Sequence, residues 1–247
     1  MQPVPMPVAV ITGAAGDIGS ATARAFAEAG YALALLDRNA SGADIAKDQL
    51  AVSLDLTDPA AVAAAMAQVE GRFGRIDALI NIAGINHRSS IAEMALADWN
   101  RMLDVNVGAM FLTAKHAVPL LARSDRGAIV NMASISGHVA SPDYPAYVTT
   151  KAAVESFTFA LAGEVAGRGI RVNAVAPGWV AAGFTRAALE TATDPEALLA
   201  AARRAHVLGR MAEPAEIASA ILWLASPKAS FVTGETLFVD GGLMRVH

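Results

Sequence analysis

Cysteine is absent from this 247-residue chain, and charged and aromatic residues are sparse. Without cysteine the chain can form no disulfide and no thiolate metal site, and it has no thiolate nucleophile. Charged residues amount to 17% of the chain and its net charge is -4 at pH 7, which argues against a nucleic-acid or anionic-membrane surface. The histidines lack metal-ligand spacing, so we expect no metal site. They are His87, His116, His138, His206 and His247.

Long apolar runs are also missing, and no stretch is long enough to span a bilayer. The first residues, MQPVPMPVAVITG, lack both a basic segment and a long apolar run, so we expect no signal peptide there. Apolar content is nevertheless high, since 54% of the residues are hydrophobic, as in a well-buried globular protein. A chain of this length suits one large α/β domain, and we expect it in the cytoplasm.

Short aliphatic or β-branched runs alternate along the chain with longer alanine-rich segments of helical period. Continuous apolar strands joined by helices predict a parallel sheet covered by helices on both faces. We find no linker, low-complexity tract or fixed-period repeat, so a single domain over residues 1–247 is predicted. The predicted strands are 8–12, 31–36, 50–54, 76–82, 128–132, 170–176 and 236–239. The main predicted helices are 59–73, 96–121, 147–167 and 213–224, with one or two short helices in 183–204.

A glycine-rich turn follows the first predicted strand directly and opens a helix. Backbone N–H groups and a helix N-terminus that converge in this way form an anion site, typically for a dinucleotide pyrophosphate. Gly13, Gly16 and Gly19 also suit the steric needs of any tight strand-to-helix turn, so alone they leave both explanations open. Asp37 ends the second strand, where a carboxylate accepts hydrogen bonds from the adenosine ribose and repels a 2′-phosphate. NAD is therefore favoured over NADP, although Arg38 could serve a phosphate or stack on adenine.

Tyr147 and Lys151 are four residues apart in a predicted helix and should project toward the same space. An ammonium beside a phenol favours the phenolate, and a tyrosine with a lowered pKa is a usable acid or base. On spacing alone, the pair could equally be an ordinary part of a helix surface. Motifs elsewhere in the chain are needed to decide between an acid/base pair and an ordinary helix surface.

Further motifs follow in a fixed order, each on the expected element. They are Thr12-Gly13 through Gly19 in the glycine turn, Asn81-Ile82-Ala83-Gly84 after the fourth strand, Asn106 in the next helix, Ser134 after the fifth strand, then Tyr147 and Lys151, and finally Pro177-Gly178. With this ordered set the chain resembles a short-chain dehydrogenase/reductase over residues 8–242.

The resemblance implies a Rossmann-type, doubly wound parallel sheet of about seven strands. It also implies that Tyr147 is the catalytic acid/base, that Lys151 lowers its pKa and binds the nicotinamide ribose, and that Ser134 hydrogen-bonds the reacting oxygen. Asn106 would hold a water that links Lys151 to solvent. The implied cofactor-binding residues are Gly13, Gly16, Asp17, Ile18, Gly19, Asp37, Arg38, Asp55, Leu56, Asn81, Ala83, Gly84, Tyr147, Lys151, Pro177, Gly178 and Val180.

The chain departs from the family pattern at three positions. Asp17 stands where the second glycine of the turn would fall. Ile82 replaces the second asparagine of Asn-Asn-Ala-Gly, so we expect Asn81 to hold the strand while Ala83 and Gly84 line the cofactor. Ala182 occupies the position of a carboxamide-contacting threonine, with Thr185 three residues later.

The resemblance also divides the chain into a cofactor half, roughly 1–125, and a catalytic and substrate half, roughly 126–247, with a substrate lid at about 183–205. The expected function is hydride transfer between NAD(H) and a small secondary alcohol or ketone of the polyol, sugar or hydroxy acid type. The alternatives are an NADP(H)-dependent 3-oxoacyl-thioester reductase and a non-catalytic NAD-binding sensor. Similar proteins are homotetramers, so a homotetramer is expected, with a dimer as the fallback.

Overall fold

The structure is a computed structural model that describes residues 6–40 and 48–245. Seven parallel strands form one sheet in the order β3-β2-β1-β4-β5-β6-β7. The strands are β1 (Val8–Thr12), β2 (Ala32–Asp37), β3 (Gln49–Ser53), β4 (Ala78–Asn81), β5 (Ala128–Met132), β6 (Arg171–Pro177) and β7 (Thr236–Val239). Within these described ranges no helix is long and apolar enough to cross a membrane.

Eight α-helices lie on or beside the sheet in the described ranges. They are α1 (Asp17–Glu28), α2 (Pro59–Phe73), α3 (Leu96–Leu103), α4 (Ala109–Leu121), α5 (Pro145–Val165), α6 (Gly183–Thr191), α7 (Pro195–Arg204) and α8 (Pro214–Ala225). Helices α1 and α8 pack on one face, where Phe26 and Ile217 are fully buried. Helices α2, α4 and α5 pack on the other, around Val62, Leu121 and Val165. The predicted doubly wound parallel sheet is confirmed, and its central strands are apolar because both faces are covered.

The order of the strands positions a crevice at the middle of the sheet. After β1 the chain builds outward through β2 and β3, and then crosses back to pair β4 with the other side of β1. Thr12 and Asn81 are register partners at the carboxyl ends of these two strands. In open α/β sheets ligands bind outside the carboxyl ends of the strands at such a switch point.

The predicted helix over 96–121 is interrupted. Helix α3 runs into a π-helical segment at Asp104–Gly108 before α4 begins. The side chain of Asn106 explains the wider turn, because it binds the backbone of Ile85 twice, accepting from its N–H at 2.8 Å and donating to its carbonyl at 3.0 Å. A local widening of this kind re-aims one side chain without ending the helix, and it is frequent at functional sites.

The segment predicted to contain one or two short helices forms two, α6 and α7. The break between them follows from sequence, since the Asp194 carboxylate caps α7 by accepting from the N–H of Ala197 at 2.9 Å and Pro195 occupies the first turn. Helix α6 contributes Phe184, Thr185 and Ala188 to the wall of the central crevice.

Candidate active site

A cavity of about 880 Å³ opens at the carboxyl ends of the strands. That volume is within the range of small-molecule and cofactor sites. The predicted site residues that line it are Gly13, Gly16, Asp17, Ile18, Gly19, Asp37, Arg38, Asp55, Leu56, Ala83, Gly84, Ser134, Tyr147, Lys151, Pro177, Gly178 and Val180. Asn81 and Asn106 lie behind its wall.

The glycine turn is built for close approach of backbone. Gly13 has φ +67°, and a Cβ there would lie 2.8 Å from the backbone of Ala83. A Cβ on Gly19 would overlap the carbonyl oxygen of Gly13. Both positions therefore require glycine. Helix α1 begins at Asp17 with no side-chain cap from Gly16, so its first N–H groups remain available to an anion at the cavity.

Asp17 brings a negative charge to this anion site, and the structure pairs it. The Arg186 guanidinium of α6 forms an ion pair with the Asp17 carboxylate, joining the glycine turn to α6. The two residues are 169 positions apart, and nothing in the local sequence around Arg186 indicates the pair. Asp17, which stands where the family pattern has a glycine, thus has its negative charge balanced by Arg186.

The Asp37 carboxylate holds the glycine turn against β2. It accepts from the N–H of Ala15 at 3.1 Å and from the N–H of Asn39 at 3.0 Å. It also lines the cavity, as does the neighbouring Arg38. Asp55 closes β3 in the manner of a turn former: backbone and side-chain hydrogen bonds from Thr57 lower the pKa of its carboxyl.

Asn81 departs from the predicted cofactor-binding set. Its side chain is buried, donates to Asn131 Oδ1 at 2.9 Å and accepts from the Thr113 hydroxyl at 2.9 Å. Asn131 in turn donates to Thr158 on α5 at 3.0 Å. Asn81 therefore ties β4 to β5 and α4, as its expected strand-holding role required. Because its side chain is turned into the interior, Asn81 does not line the cavity.

Tyr147 lies at the base of the cavity, and its burial dominates its titration. Desolvation raises the pKa of the phenol well above 10, while a hydrogen bond with the Ser134 side chain acts in the opposite direction. The Ser134 oxygen also accepts from the N–H of Ser136 at 3.1 Å, which leaves its own proton free to point toward the phenol. The lowering of the Tyr147 pKa by Lys151 stays a prediction, since burial is the largest influence on this pKa and raises it.

Lys151 is one helical turn below Tyr147 and is buried with it. Its Nζ lies 5.6 Å from the centre of the Tyr147 ring and donates to the carbonyl of Met132, at the end of β5, at 2.8 Å. Burial lowers the pKa of the ammonium to about 8. Both side chains do face one space, as the spacing of four predicted, and the exposed-surface alternative is wrong.

Asn106 lies next to Lys151 without lining the cavity. A Cβ on Gly84 would be 3.2 Å from Asn106 Oδ1 and 3.8 Å from Lys151 Nζ, so both atoms flank the same point. The amide also donates to Thr150 Oγ1 at 3.1 Å. It thereby joins the loop after β4 to α5.

Three further residues shape the site, although their spacing in the sequence does not indicate it. They are His206, Asn86 and Tyr144. Buried His206 accepts from the N–H of Trp179 at 3.1 Å and donates to the carbonyl of Ala202 at 2.7 Å, which holds the loop after β6. Asn86 donates to the Tyr144 hydroxyl at 3.0 Å, and both line the cavity. Tyr144 is therefore pocket wall. The His206–Trp179 and Asn86–Tyr144 contacts join residues 27 and 58 positions apart, so no local pattern reveals them.

In the part of the chain that the structure describes, no group of three or more histidine, aspartate or glutamate side chains could hold a metal ion. His247 lies outside the described residues.

Replacing Lys151 by Met should stabilise the protein near neutral pH, on the order of 2 kcal/mol. Below pH 8 folding buries a charged ammonium. Between about 8 and 10.5 the unfolded chain keeps the proton that the folded chain has lost, so wild-type stability rises with pH across that window. Denaturant unfolding at pH 7 and pH 10 measures both effects.

The stability advantage of the variant should therefore shrink at pH 10. Lys228, which is exposed, is the matched control, and Lys228→Met should show neither effect. Equal stability of wild type and Lys151→Met at pH 7 would contradict the buried-charge account.

Residues 13–244 match a family model described as enoyl-(acyl carrier protein) reductase. A galactitol 2-dehydrogenase (L-tagatose-forming) of Cereibacter sphaeroides is 41% identical, over 95% of this chain and 93% of its own. A cis-4-hydroxycyclohexanecarboxylate dehydrogenase of Sinomonas cyclohexanicum is 39% identical, over 97% of both chains. A protein of Xanthobacter autotrophicus named inactive 2-(S)-hydroxypropyl-CoM dehydrogenase 2 is 42% identical, over 91% of this chain and 100% of its own.

Solved structures share the fold over the whole length. The ligand-free aldohexose dehydrogenase of Thermoplasma acidophilum has a TM-score of 0.90 at 34% identity, covering 97% of this chain and 94% of that one. ElxO with NADP bound has a TM-score of 0.88 at 28% identity, covering 97% and 99%. On these matches, the chain belongs to the short-chain dehydrogenase/reductase family and is an oxidoreductase that uses a nicotinamide cofactor.

Proposed function

We propose that the protein transfers hydride between NAD(H) and a small secondary alcohol or ketone, of the polyol, sugar or hydroxy acid type. The observation that carries this proposal is the buried phenol of Tyr147, hydrogen-bonded to Ser134 in a cavity whose other end is the glycine turn. Relatives named for galactitol and for a hydroxycyclohexanecarboxylate support the substrate class.

The cavity suits a dinucleotide in both shape and charge. The uncapped first turn of α1 fits a pyrophosphate, and the glycines leave room for it. Asp37, at the tip of β2, is in position to accept from ribose hydroxyls, and its charge disfavours a 2′-phosphate. Ala83, Gly84, Pro177, Gly178 and Val180 form the remaining wall toward the nicotinamide end.

When bound, the cofactor supplies the carbon that accepts or donates hydride. In the oxidation direction we propose that Tyr147 takes the alcohol proton as the carbon–hydrogen bond breaks, and reduction returns that proton. Ser134 donates to the same substrate oxygen and stabilises the charge that develops there, an interaction worth about 3 kcal/mol in comparable sites.

A phenol with a raised pKa needs help to act as a base. A cationic neighbour stabilises the phenolate, and the Lys151 ammonium is the buried cation beside the ring. The pyridinium charge of the oxidised cofactor would act in the same direction. We propose that Asn106, beside Lys151, holds a water through which the proton reaches solvent.

Replacing Tyr147 by Phe should lower kcat at least about 1,000-fold, because general acid–base catalysis is lost. Affinity for NAD should stay within about threefold, since the ring remains. Tyr31→Phe is the matched control and should retain full turnover, because Tyr31 packs on Phe26 outside the cavity. Steady-state rates and NADH fluorescence titrations measure both quantities. A binding-only sensor would show no turnover in the wild type and no response to Tyr147→Phe.

Replacing Asp37 by Ser should shift the preference from NAD toward NADP by about tenfold or more in kcat/KM, because the repulsion of a 2′-phosphate is removed. Part of the NAD activity should also be lost with the Ala15 contact. Asp125→Asn, at a side chain 87% exposed, makes the same change in charge and should leave the ratio unaltered. A wild type active only with NADPH would contradict the NAD assignment and favour the 3-oxoacyl-thioester reductase alternative.

We also propose that the protein is a cytoplasmic homotetramer and that α6 and α7 act as a substrate lid. Large apolar side chains support the oligomer: Phe111 on α4 is 51% exposed and Phe159 on α5 is 61% exposed. Both side chains are more than half exposed within the described chain, as residues that a partner subunit covers would be.

Replacing Phe159 by Glu should reduce the solution mass from four times 25.4 kDa to that of a dimer, because a charge would be buried at the α5 interface. Ile91→Glu, at a loop residue 73% exposed, is the control and should leave the mass unchanged. Sedimentation velocity at micromolar concentration measures the outcome. A monomeric wild type would rule out the tetramer.

A further inference from the structure

The cavity extends beyond Tyr147, away from the glycine turn, into a region bounded by three segments. These are the loop after β4 (85–90), the loop before α5 (139–144) and the start of α6 (183–188). The residues that line the cavity in these segments are Ile85, Asn86, Arg88, Val139, Ala140, Ser141, Tyr144, Gly183, Phe184, Thr185 and Ala188. Arg88 is the one charged side chain among them.

The guanidinium of Arg88 lies over an aromatic ring. Its Cζ lies 4.6 Å from the centre of the Tyr144 ring. The Tyr144 hydroxyl is in turn fixed by the Asn86 amide at 3.0 Å. The ring attracts the cation, and the guanidinium keeps N–H donors that can bind a planar acceptor.

No carboxylate of the described residues pairs with Arg88. Arg186, near the start of α6, is by contrast paired with Asp17. Asn86 Oδ1 is buried and has no hydrogen-bond partner within the described chain. The loop after β4 therefore contributes one cation and one acceptor whose partners the protein itself does not supply.

This cation is close to the reacting group. The Tyr144 ring meets the Tyr147 ring edge to face, with centres 5.7 Å apart and planes at 89°. Arg88 is thus separated from the catalytic phenol by a single aromatic side chain. A molecule whose hydroxyl lies at Tyr147 and whose anionic group is a few carbon atoms away can reach Arg88.

We propose that Arg88 binds the carboxylate of the substrate, so that the protein acts on small hydroxy acids, or the corresponding oxo acids, in preference to neutral polyols and sugars. This inference rests on the proposed dehydrogenase function and narrows it to one substrate class. A carboxylate accepts two parallel hydrogen bonds from a guanidinium, whereas a neutral hydroxyl gains neither the charge nor the second bond. Tyr144 and Asn86 act as positioning residues for Arg88.

The binding of molecules that cannot react tests the proposed carboxylate site separately from catalysis. Butanoate and butanamide have the same shape and differ in charge, and neither carries the hydroxyl that turnover needs. With NADH present, wild type should bind butanoate at least about tenfold more tightly than butanamide, measured by calorimetry or by the fluorescence of Trp179. Arg88→Gln should abolish that difference, and Arg88→Lys should restore part of it as a point charge.

The matched control is Arg72→Gln. Arg72 also lies over an aromatic ring, 5.4 Å from the centre of Phe73, and is remote from the cavity. The Arg72→Gln variant should still bind butanoate more tightly than butanamide. Equal binding of butanoate and butanamide by wild type, or a preference that survives Arg88→Gln, would overturn the inference.

Turnover measurements test the carboxylate site at Arg88 separately from the proposed dehydrogenase activity. Lactate, 3-hydroxybutanoate and 4-hydroxypentanoate vary the distance between hydroxyl and carboxylate, and 3-hydroxybutanamide is the neutral control. Arg88→Gln should raise KM for the best acid at least about tenfold, leave kcat within about threefold, and leave the amide unaffected. Turnover of neutral alcohols with no preference for acids would retain the dehydrogenase and refute the carboxylate site. Selective butanoate binding without any turnover would retain the site and refute the dehydrogenase.

Discussion

Burial of an ammonium beside a phenol is the constraint on which the rest of the site depends. Lys151 has one protein acceptor, the carbonyl of Met132, and its pKa falls because hydration is lost. The same desolvation raises the pKa of Tyr147. Two groups that each resist ionisation are therefore held together, with Ser134 as the hydrogen-bond partner of the phenol and the Met132 carbonyl as that of the ammonium. Keeping them there lowers the stability of the fold, as is usual at functional sites.

The scaffold around this pair is polar as well as apolar. A chain of buried amides and hydroxyls, Asn81 to Asn131 to Thr158, links β4 and β5 to α5. Asn106 links the loop after β4 to the same helix through Thr150. Fully satisfied buried networks favour one arrangement, because any shift leaves a polar group unpaired in a low-dielectric interior. The position of Tyr147 relative to the strand ends is therefore defined on two sides.

Local rules predicted most of the fold. Strands β1, β5 and β7 and helix α2 have the predicted bounds, because continuous apolar runs and 3.6-residue periodicity act within a few residues. These local rules failed where a contact with a distant residue determines the local structure. The helix over 96–121 contains a π-helical segment because Asn106 binds Ile85. Asn81 faces the interior because Asn131 and Thr113 take up its amide.

By itself, the sequence determined the parallel sheet, the glycine turn and the spacing of Tyr147 and Lys151, since each depends on neighbours a few positions apart. Only the tertiary structure decided how those parts behave. It set the direction in which the Tyr147 pKa moves, because burial is a property of the whole fold. It also paired Asp17 with Arg186 across 169 positions and laid Arg88 on Tyr144. Contacts between distant segments have no periodic signal, because they exist only after the chain has closed around the cavity.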